Sequence, residues 1–237
     1  MPFNSSTTQW PKIRPALNDE QRRVWEDWYE HFLNHLYTGK FDRVHQFNHH
    51  YALRSAAAGG KTLEIGPGTG AHLDFEDARG MSEYVGVELR ATFSDQIAAK
   101  HPNARLVVGD CQQRLNFPDG YFDRVLAIHV LEHLENLPAA LTEIRRVLRP
   151  GGLFSVVIPT EGGFGYWLGR RVSVQRIFEK RYGQPYAPFI AHEHVNSARE
   201  VLAETAPLFR IIHRQFFPLR VPLVDANLVI GLTLQGK

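Results

Sequence analysis

Three observations predict a three-layer α/β fold, with helices on both sides of a mostly parallel seven-stranded sheet. Between about residues 60 and 160, short runs rich in Val, Ile and Leu alternate with amphipathic segments, as consecutive strand–helix crossovers do. The first of these runs ends in a glycine-rich turn, "LEIGPGTG" (63–70), at the sheet edge where such folds hold ligands. The last two apolar runs, "FRIIHRQFFPL" and "ANLVIGLTL", have no helix between them, so an antiparallel pair is expected to close the sheet.

Residues 1–17 contain Pro2, Pro11 and Pro15 and are expected to form an extended arm. Asn18 is placed to cap a helix running to about Tyr37, with an apolar stripe of Val24, Trp25, Trp28, Phe32 and Leu36. Packing onto the main domain accounts for that stripe. The stretch "FDRVHQFNHHYALR" (41–54) is richer in aromatics and histidine than a plain surface helix needs. From Lys61 the elements read in order as strand "KTLEI", short helix "AHLDFEDA", strand "YVGVEL", helix "TFSDQIAAKH" and strand "ARLVVGD". Strand "FDRVLAIHV" follows, then helix "LPAALTEIRRVL" with Pro138 in its first turn, stopped by "RPGG" with Gly151 near the C-cap. "LFSVVIP" makes the fifth strand, and a helix from Ser197 to about Ala206 precedes the final pair. Residues 160–196 are too long for a simple connection and lie just after the carboxyl end of strand five. They are expected to form a lid or substrate insertion. The division is therefore 1–55, an arm and helices packing on or covering the site, and 56–237, the main domain.

Composition narrows the class. With 237 residues, 43% hydrophobic and 22% charged, the chain has the make-up of an ordinary globular protein. A net charge of +2 demands neither nucleic acid nor an anionic membrane. A single cysteine, Cys111, excludes an intrachain disulfide and a Cys-based zinc site. The N-terminus lacks the apolar core of a signal peptide, so a cytoplasmic setting is expected.

The glycine turn matches neither phosphate-binding pattern. Gly66, Gly68 and Gly70 are spaced G-P-G-T-G rather than G-x-G-x-x-G, and no Lys-Ser or Lys-Thr pair follows them. Glu64 beside the turn would repel pyrophosphate but suits an ammonium group. Glu88 ends strand two, where a carboxylate can accept from both ribose hydroxyls. Asp110 ends strand three, where it can accept from an adenine amino group, and the Cys111 N–H can donate to a ring nitrogen. An amine, a ribose and an adenine without a phosphate binder describe S-adenosylmethionine (SAM).

Over roughly residues 60–160 the chain resembles the class I SAM-dependent methyltransferases, which are Rossmann-like, and within them the methyltransferase type 11 group. "LEIGPGTG", "GVEL", "VVGDCQQ", "FDRVLAIHVLEHL" and "EIRRVLRPGGLFSVVIP" carry the resemblance. It implies that Glu64, Gly66, Pro67, Gly68 and Gly70 surround the methionine part of SAM, and that Glu88 holds the ribose with Leu89 against the adenine. It further implies that Asp110 and Cys111 read the adenine edge, that Ile128 and His129 lie beside the cofactor, and that S-adenosylhomocysteine (SAH) is the product.

Methyl transfer to a hydroxyl needs alignment and removal of a proton, for which histidine is suited. Two groups of the chain's 12 histidines lie at the carboxyl edge of the sheet. In "HVLEHL", His129, Glu132 and His133 would share one helical face, and in "HEHVN", His192, Glu193 and His194 end the insertion. Three readings stay open: a structural Glu-His pair orienting the turn after strand four, a general base at His133 or His194, and a divalent metal site. Ubiquinone-pathway O-methyltransferases and small-RNA 2′-O-methyltransferases carry an E-x-x-E-H metal pattern. Here His129 stands in place of the first Glu, which disfavours a metal, although His194 could complete such a set. The candidate catalytic residues are therefore His133 and His194.

The insertion interleaves Arg170, Arg171, Arg176, Lys180 and Arg181 with aromatic residues, as a lid for an anionic, partly apolar acceptor would. A small-molecule acceptor, with oxygen receiving the methyl group, is the expectation; a metabolite, sugar or lipid precursor fits. No nucleic-acid or membrane partner is expected, and a homodimer stays open. The competing functions are a non-catalytic SAM-binding protein, an RNA methyltransferase and an NAD-dependent oxidoreductase.

Overall fold

A computed structural model describes residues 9–35, 42–56 and 59–237. The predicted Leu36 of the first helix and the first eight residues of the arm lie outside them.

Seven strands form one sheet: β1 (Lys61–Ile65), β2 (Glu83–Glu88), β3 (Arg105–Val108), β4 (Phe122–Ile128), β5 (Leu148–Pro159), β6 (Phe209–Phe217) and β7 (Val229–Gly236). Their order is β3-β2-β1-β4-β5-β7-β6. The first five run parallel, while β7 is antiparallel to both β5 and β6. Successive strands are added on one side of β1 as far as β3 and on its other side from β4, so the carboxyl ends of β1 and β4 border a topological switch point.

The described residues also form eight helices: α1 (Asp19–His35), α2 (Asp42–Ala52), α3 (Ala91–Lys100), α4 (Leu137–Val147), α5 (Phe164–Val172), α6 (Val174–Tyr182), α7 (Ala187–Glu193) and α8 (Ala198–Thr205). Alternation along β5 shows why both faces are covered. Val156 joins the core with Leu141, Ile144 and Val147 of α4 and Val201 of α8, whereas its neighbour Val157 packs under Tyr51 of α2. Gly231 of β7 lies directly against the Tyr51 ring, and a side chain there would collide with it. Each fully buried Leu or Ile of α4 contributes roughly 1.5–3 kcal/mol to this packing. Helix α8 begins with a capping box, Ser197 and Glu200 each bonding the other's backbone N–H.

Three local expectations change. "AHLDFEDA" forms only a 3-10 turn over Ala71–Asp74, because left-handed Gly70 precedes it and the Asp77 side chain opens a new turn by accepting from Arg79 N. Helix α4 ends at Val147 and runs straight into β5, where Leu148 already pairs with Phe122 and residues 149–152 bulge out before Leu153 meets Arg124. Gly151 therefore turns within this bulge, at φ 77°.

Helix α1 carries the predicted cap, with Asn18 and Gln21 exchanging backbone bonds at 2.8 and 3.0 Å. It packs on the 160–196 helices rather than on the sheet. Trp28, 3% exposed, stands edge-on to Phe178 of α6 at 5.3 Å, and Leu17, Tyr186 and Phe189 complete this second core. The arm before α1 is strapped across the site: Lys12 donates to Val195 O at 2.8 Å and pairs with Glu200, while Arg14 donates to His133 O at 2.9 Å and pairs with Glu135. Among the described residues no helix is long and apolar enough to cross a membrane.

Candidate functional site

A cavity of about 700 Å³ opens between the carboxyl ends of β1, β2 and β4 and the layer made by α1 and α5–α7. That volume falls in the usual ligand-site range of ~300–1,000 Å³.

Its floor is the turn after β1. Gly66, Gly68 and Gly70 all have positive φ, at 61°, 57° and 76°. Gly66 needs glycine twice over, since a Cβ there would stand 2.8 Å from Val130 Cγ2. Gly66, Pro67, Gly68 and Thr69 line the cavity, but Gly70 does not. A Cβ on Gly70 would meet Ile97 of α3 at 3.0 Å, so it serves helix–turn packing instead of the cavity wall. Glu64 reaches the wall, yet its carboxylate is buried and accepts the Tyr84 hydroxyl. Burial raises its pKa against the opposing pull of His72 and Tyr84.

The adjoining strand ends supply acceptors. Glu88 takes Gly68 N on one carboxylate oxygen and Arg90 N on the other, both at 3.0 Å. Asp110 accepts Gln112 N at 2.9 Å. The Cys111 thiol is buried, which pushes its pKa up to about 12 and keeps it a neutral packing group. Leu89, 68% exposed, and Ile128 also border the cavity.

At the far end the two histidine groups meet. His129 does not begin an α-helix as its spacing predicts. It has a left-handed φ of 54°, and Leu131–His133 form a 3-10 turn. Even so, His129 Nδ1 reaches Glu132 at 3.2 Å, and the His133 and His194 rings meet edge to face at 5.0 Å. His192 points elsewhere, to Pro15 O. Asn196 joins the two groups: its buried amide donates to Leu131 O at 2.8 Å and Leu134 O at 2.7 Å, and its own N–H donates to Glu132 O.

Carboxylates set the ionisation here. Burial alone would raise Glu132, but the His129 hydrogen bond and the surrounding imidazoles hold it at about 2. Burial opposes protonation of His133, and Glu193 with Glu132 outweighs it, raising its pKa. Burial would likewise raise Glu161 and Glu193, and their histidine and arginine partners hold both low.

Several wall residues carried no assignment in the sequence. Arg14 stands 3.8 Å from Glu193, and Glu161 bonds both His194 and Arg170. The histidine-rich α2 presents His45, Asn48 and His49 to the cavity, stacks His49 on Phe75, and brings His49 Nδ1 to 3.3 Å from His72 Nδ1. Its unusual composition was the one signal for this. Tyr29 enters from α1 beneath the Arg90 guanidinium, 4.3 Å from its ring.

Residues 63–156 match the family model described as a methyltransferase domain. Over these residues the chain carries a methyltransferase domain. Similar proteins include a sterol 24-C-methyltransferase of Gibberella zeae, 31% identical over 53% of this chain and 35% of its own length. A 23S rRNA (guanine(748)-N(1))-methyltransferase of Streptomyces fradiae is 35% identical over 46% and 38%. A fatty-acid O-methyltransferase of Mycolicibacterium smegmatis is 35% identical over 46% and 40%. The aligned parts thus span well under half of these relatives. Among solved structures, the N-methyltransferase NodS of Bradyrhizobium japonicum, in complex with SAH, has the same fold, with TM-score 0.58 at 16% identity over 94% of this chain and 95% of that one.

SAM is the cofactor of this domain class, and the residues of the methyltransferase domain fit it. Each Glu88 oxygen accepts one backbone N–H and keeps lone-pair capacity for a ribose hydroxyl. The glycine turn leaves its cavity side free of side chains at Gly66 and Gly68.

Proposed function

We propose that the chain transfers the methyl group of SAM to a hydroxyl of a small, partly apolar acceptor, which His133 and His194 engage. One observation carries this reading: two imidazoles meet at the cavity end, and a carbonyl or carboxylate occupies Nδ1 of each, at 2.9 and 3.0 Å. A carbonyl can only accept, so His133 keeps a proton on Nδ1; Glu193 and Glu132 raise its pKa, and in the deprotonated fraction of the ring Nε2 offers a lone pair to the acceptor hydroxyl. The ionised Glu161 has the same effect on His194.

In this reading the turn at 66–68, Glu88, Leu89, Asp110, Cys111 and Ile128 hold SAM, with His129 beside it. Residues 9–35 and 160–196 form the acceptor side. Trp25, Trp28, Tyr29 and Tyr166 give that side an aromatic lining, and Arg14 gives it positive charge near the histidines, which suits an amphipathic or anionic metabolite.

The test is transfer of label from methyl-labelled SAM to panels of hydroxylated aromatics, sugar phosphates and hydroxylated lipid precursors. An O-methylated product is expected. The double variant His133→Ala/His194→Ala should lower kcat by about 100-fold or more while SAH affinity is kept. Label arriving only on amines, carbon or RNA would overturn the oxygen reading, and an unchanged kcat would remove the histidines from it.

A further inference from the structure

At the histidine end of the cavity four buried polar atoms lack a hydrogen-bond partner, His129 Nε2, Glu132 Oε2, Arg170 Nε and Asn196 Oδ1, and only Glu132 among them is an anionic acceptor. Glu132 is 1% exposed; its Oε1 takes His129 Nδ1 at 3.2 Å, but its Oε2 is buried with no hydrogen-bond partner. A buried carboxylate oxygen without a donor is costly. His133 does not relieve it, since its Nε2 stands 3.9 Å from Oε1, beyond hydrogen-bond range. His133 Nδ1 is committed to Glu193 and His194 Nδ1 to Glu161, so the Nε2 lone pairs of both rings are free. One ligand atom from each of Glu132, His133 and His194 lies within 4.8 Å of the other two.

We propose that Glu132, His133 and His194 form a binding site for one divalent transition-metal cation of the zinc class. Two neutral imidazoles and one carboxylate are a donor set that such cations take. The outer groups match too: a metal-bound histidine typically gives its other N–H to a carboxylate or carbonyl, which is how Glu193 and Glu161 hold these two rings. In an occupied tetrahedral site with bonds of ~2.0–2.1 Å, ligand atoms stand about 3.3 Å apart. Closing from 4.8 Å asks for side-chain rotations of roughly 1 Å at the partly exposed histidines. Three protein ligands leave a fourth position toward the cavity. Glu132 within the triad and Glu161 and Glu193 beside it make three carboxylates against the two guanidinium groups of Arg14 and Arg170, so added positive charge is favoured.

What the cation does rests on the methyl-transfer reading; its binding does not. The acceptor hydroxyl would take the fourth position and lose its proton to solvent water. Its oxygen then forms the new bond to the methyl carbon, while the C–S electron pair stays on sulfur and SAH departs. Ligation uses the Nε2 lone pairs, so in the loaded protein the histidines engage the hydroxyl through the cation and no longer accept its proton directly.

The test uses tag-free full-length chain, stripped with a chelator and titrated with Co²⁺ as a spectroscopic probe and with Zn²⁺ by calorimetry. One cation per chain is expected, with the visible Co²⁺ bands of a four- or five-coordinate site. Glu132→Gln and His194→Ala should each weaken Co²⁺ binding by about 100-fold or more, and Glu161→Gln, which within the triad bonds His194 Nδ1 and outside it Arg170, by roughly 10–100-fold. SAH binding checks that each variant is folded. No Co²⁺ uptake by the unaltered chain, or uptake unchanged in both Glu132→Gln and His194→Ala, overturns the site. Equal methyl transfer by stripped and loaded protein overturns the cation's role in the reaction. Cation binding with no methyl transfer in either form supports the site and overturns the function proposed above.

Discussion

The two walls of the cavity are built by different physics. The sheet wall is backbone: a glycine turn with three positive φ values, and carboxylates at successive strand ends whose oxygens take main-chain N–H groups. The opposite wall is side chain on side chain, with Trp28 of α1 wedged among Phe178, Tyr182 and Tyr186, and Trp25 stacked on Phe189. A backbone site is fixed wherever its strands pair, so it can hold the same cofactor in relatives that act on different acceptors. An aromatic cap can be rebuilt without touching the sheet, and it is the part free to select an acceptor. Asn196 and Arg14 are the stitches between the two.

The sharpest way to break this comparison is to hollow out one wall. Trp28→Ala removes the central ring of the cap core and is expected to cost roughly 3–5 kcal/mol there. If the walls are separate, hydrogen exchange should rise through α1, α6 and α7 while β1, β2 and β4 stay protected, with SAH affinity changed by no more than about twofold. A matching loss of protection in the sheet would show that the two form one cooperative unit.

The stitch itself comes next. Asn196→Asp places a carboxylate against the Leu131 and Leu134 carbonyls, replacing two donated bonds with repulsion. A penalty of roughly 3 kcal/mol is expected in the urea midpoint. Asn196→Ala removes the amide without adding charge and should cost about 1–2 kcal/mol. Equal effects of the two would mean that the amide does not orient the Leu131–Leu134 turn.

On the sheet wall, Gly66→Ala forces a side chain into a φ of 61° and against Val130. An expected cost of about 1–3 kcal/mol should appear as at least tenfold weaker SAH binding by calorimetry. The cap's exchange protection should be unaltered. Retained SAH affinity would remove the turn from the cofactor site.

The same division explains what could be read from the chain in advance. Strand β1 was legible to the residue at Lys61–Ile65, and so were Glu88 and Asp110 at strand ends, because alternation and glycine spacing are local rules. The partner of α1 was not legible. Its stripe announces a buried face, but Trp28 finds Phe178 some 150 positions away through tertiary packing. Glu161 gave no signal for the same reason, reaching His194 across three helices. The triad Glu132, His133 and His194 was half legible: the spacing of "HVLEHL" pointed to one helical face, whereas a 3-10 turn and left-handed His129 bring the groups together by another route. Gly70 looked like the rest of its motif, and only its approach to Ile97 separates it.

The smallest expected effect sharpens which wall acid attacks. His49 of α2 is buried between Phe75 and His72, and burial, reinforced by the neighbouring His72, lowers its pKa to about 2. In the unfolded chain it titrates near 6.5, so the unfolded state binds a proton that the native state refuses. The stability it contributes is complete above pH 6.5 and is lost as the pH falls toward 2. Between pH 7.5 and 5.5 the loss should be about 1.3 kcal/mol, an upper figure because His49 and His72 share a hydrogen bond. His49→Phe keeps the stacking on Phe75 and removes the titration, so its urea midpoint should fall less steeply over that interval than the parent's. The Trp28→Ala cap variant should keep the parental slope, since α2 belongs to the sheet side. If the two variants exchange these behaviours, acid sensitivity resides in the cap, and the contrast between a fixed sheet wall and a replaceable cap loses its stability half.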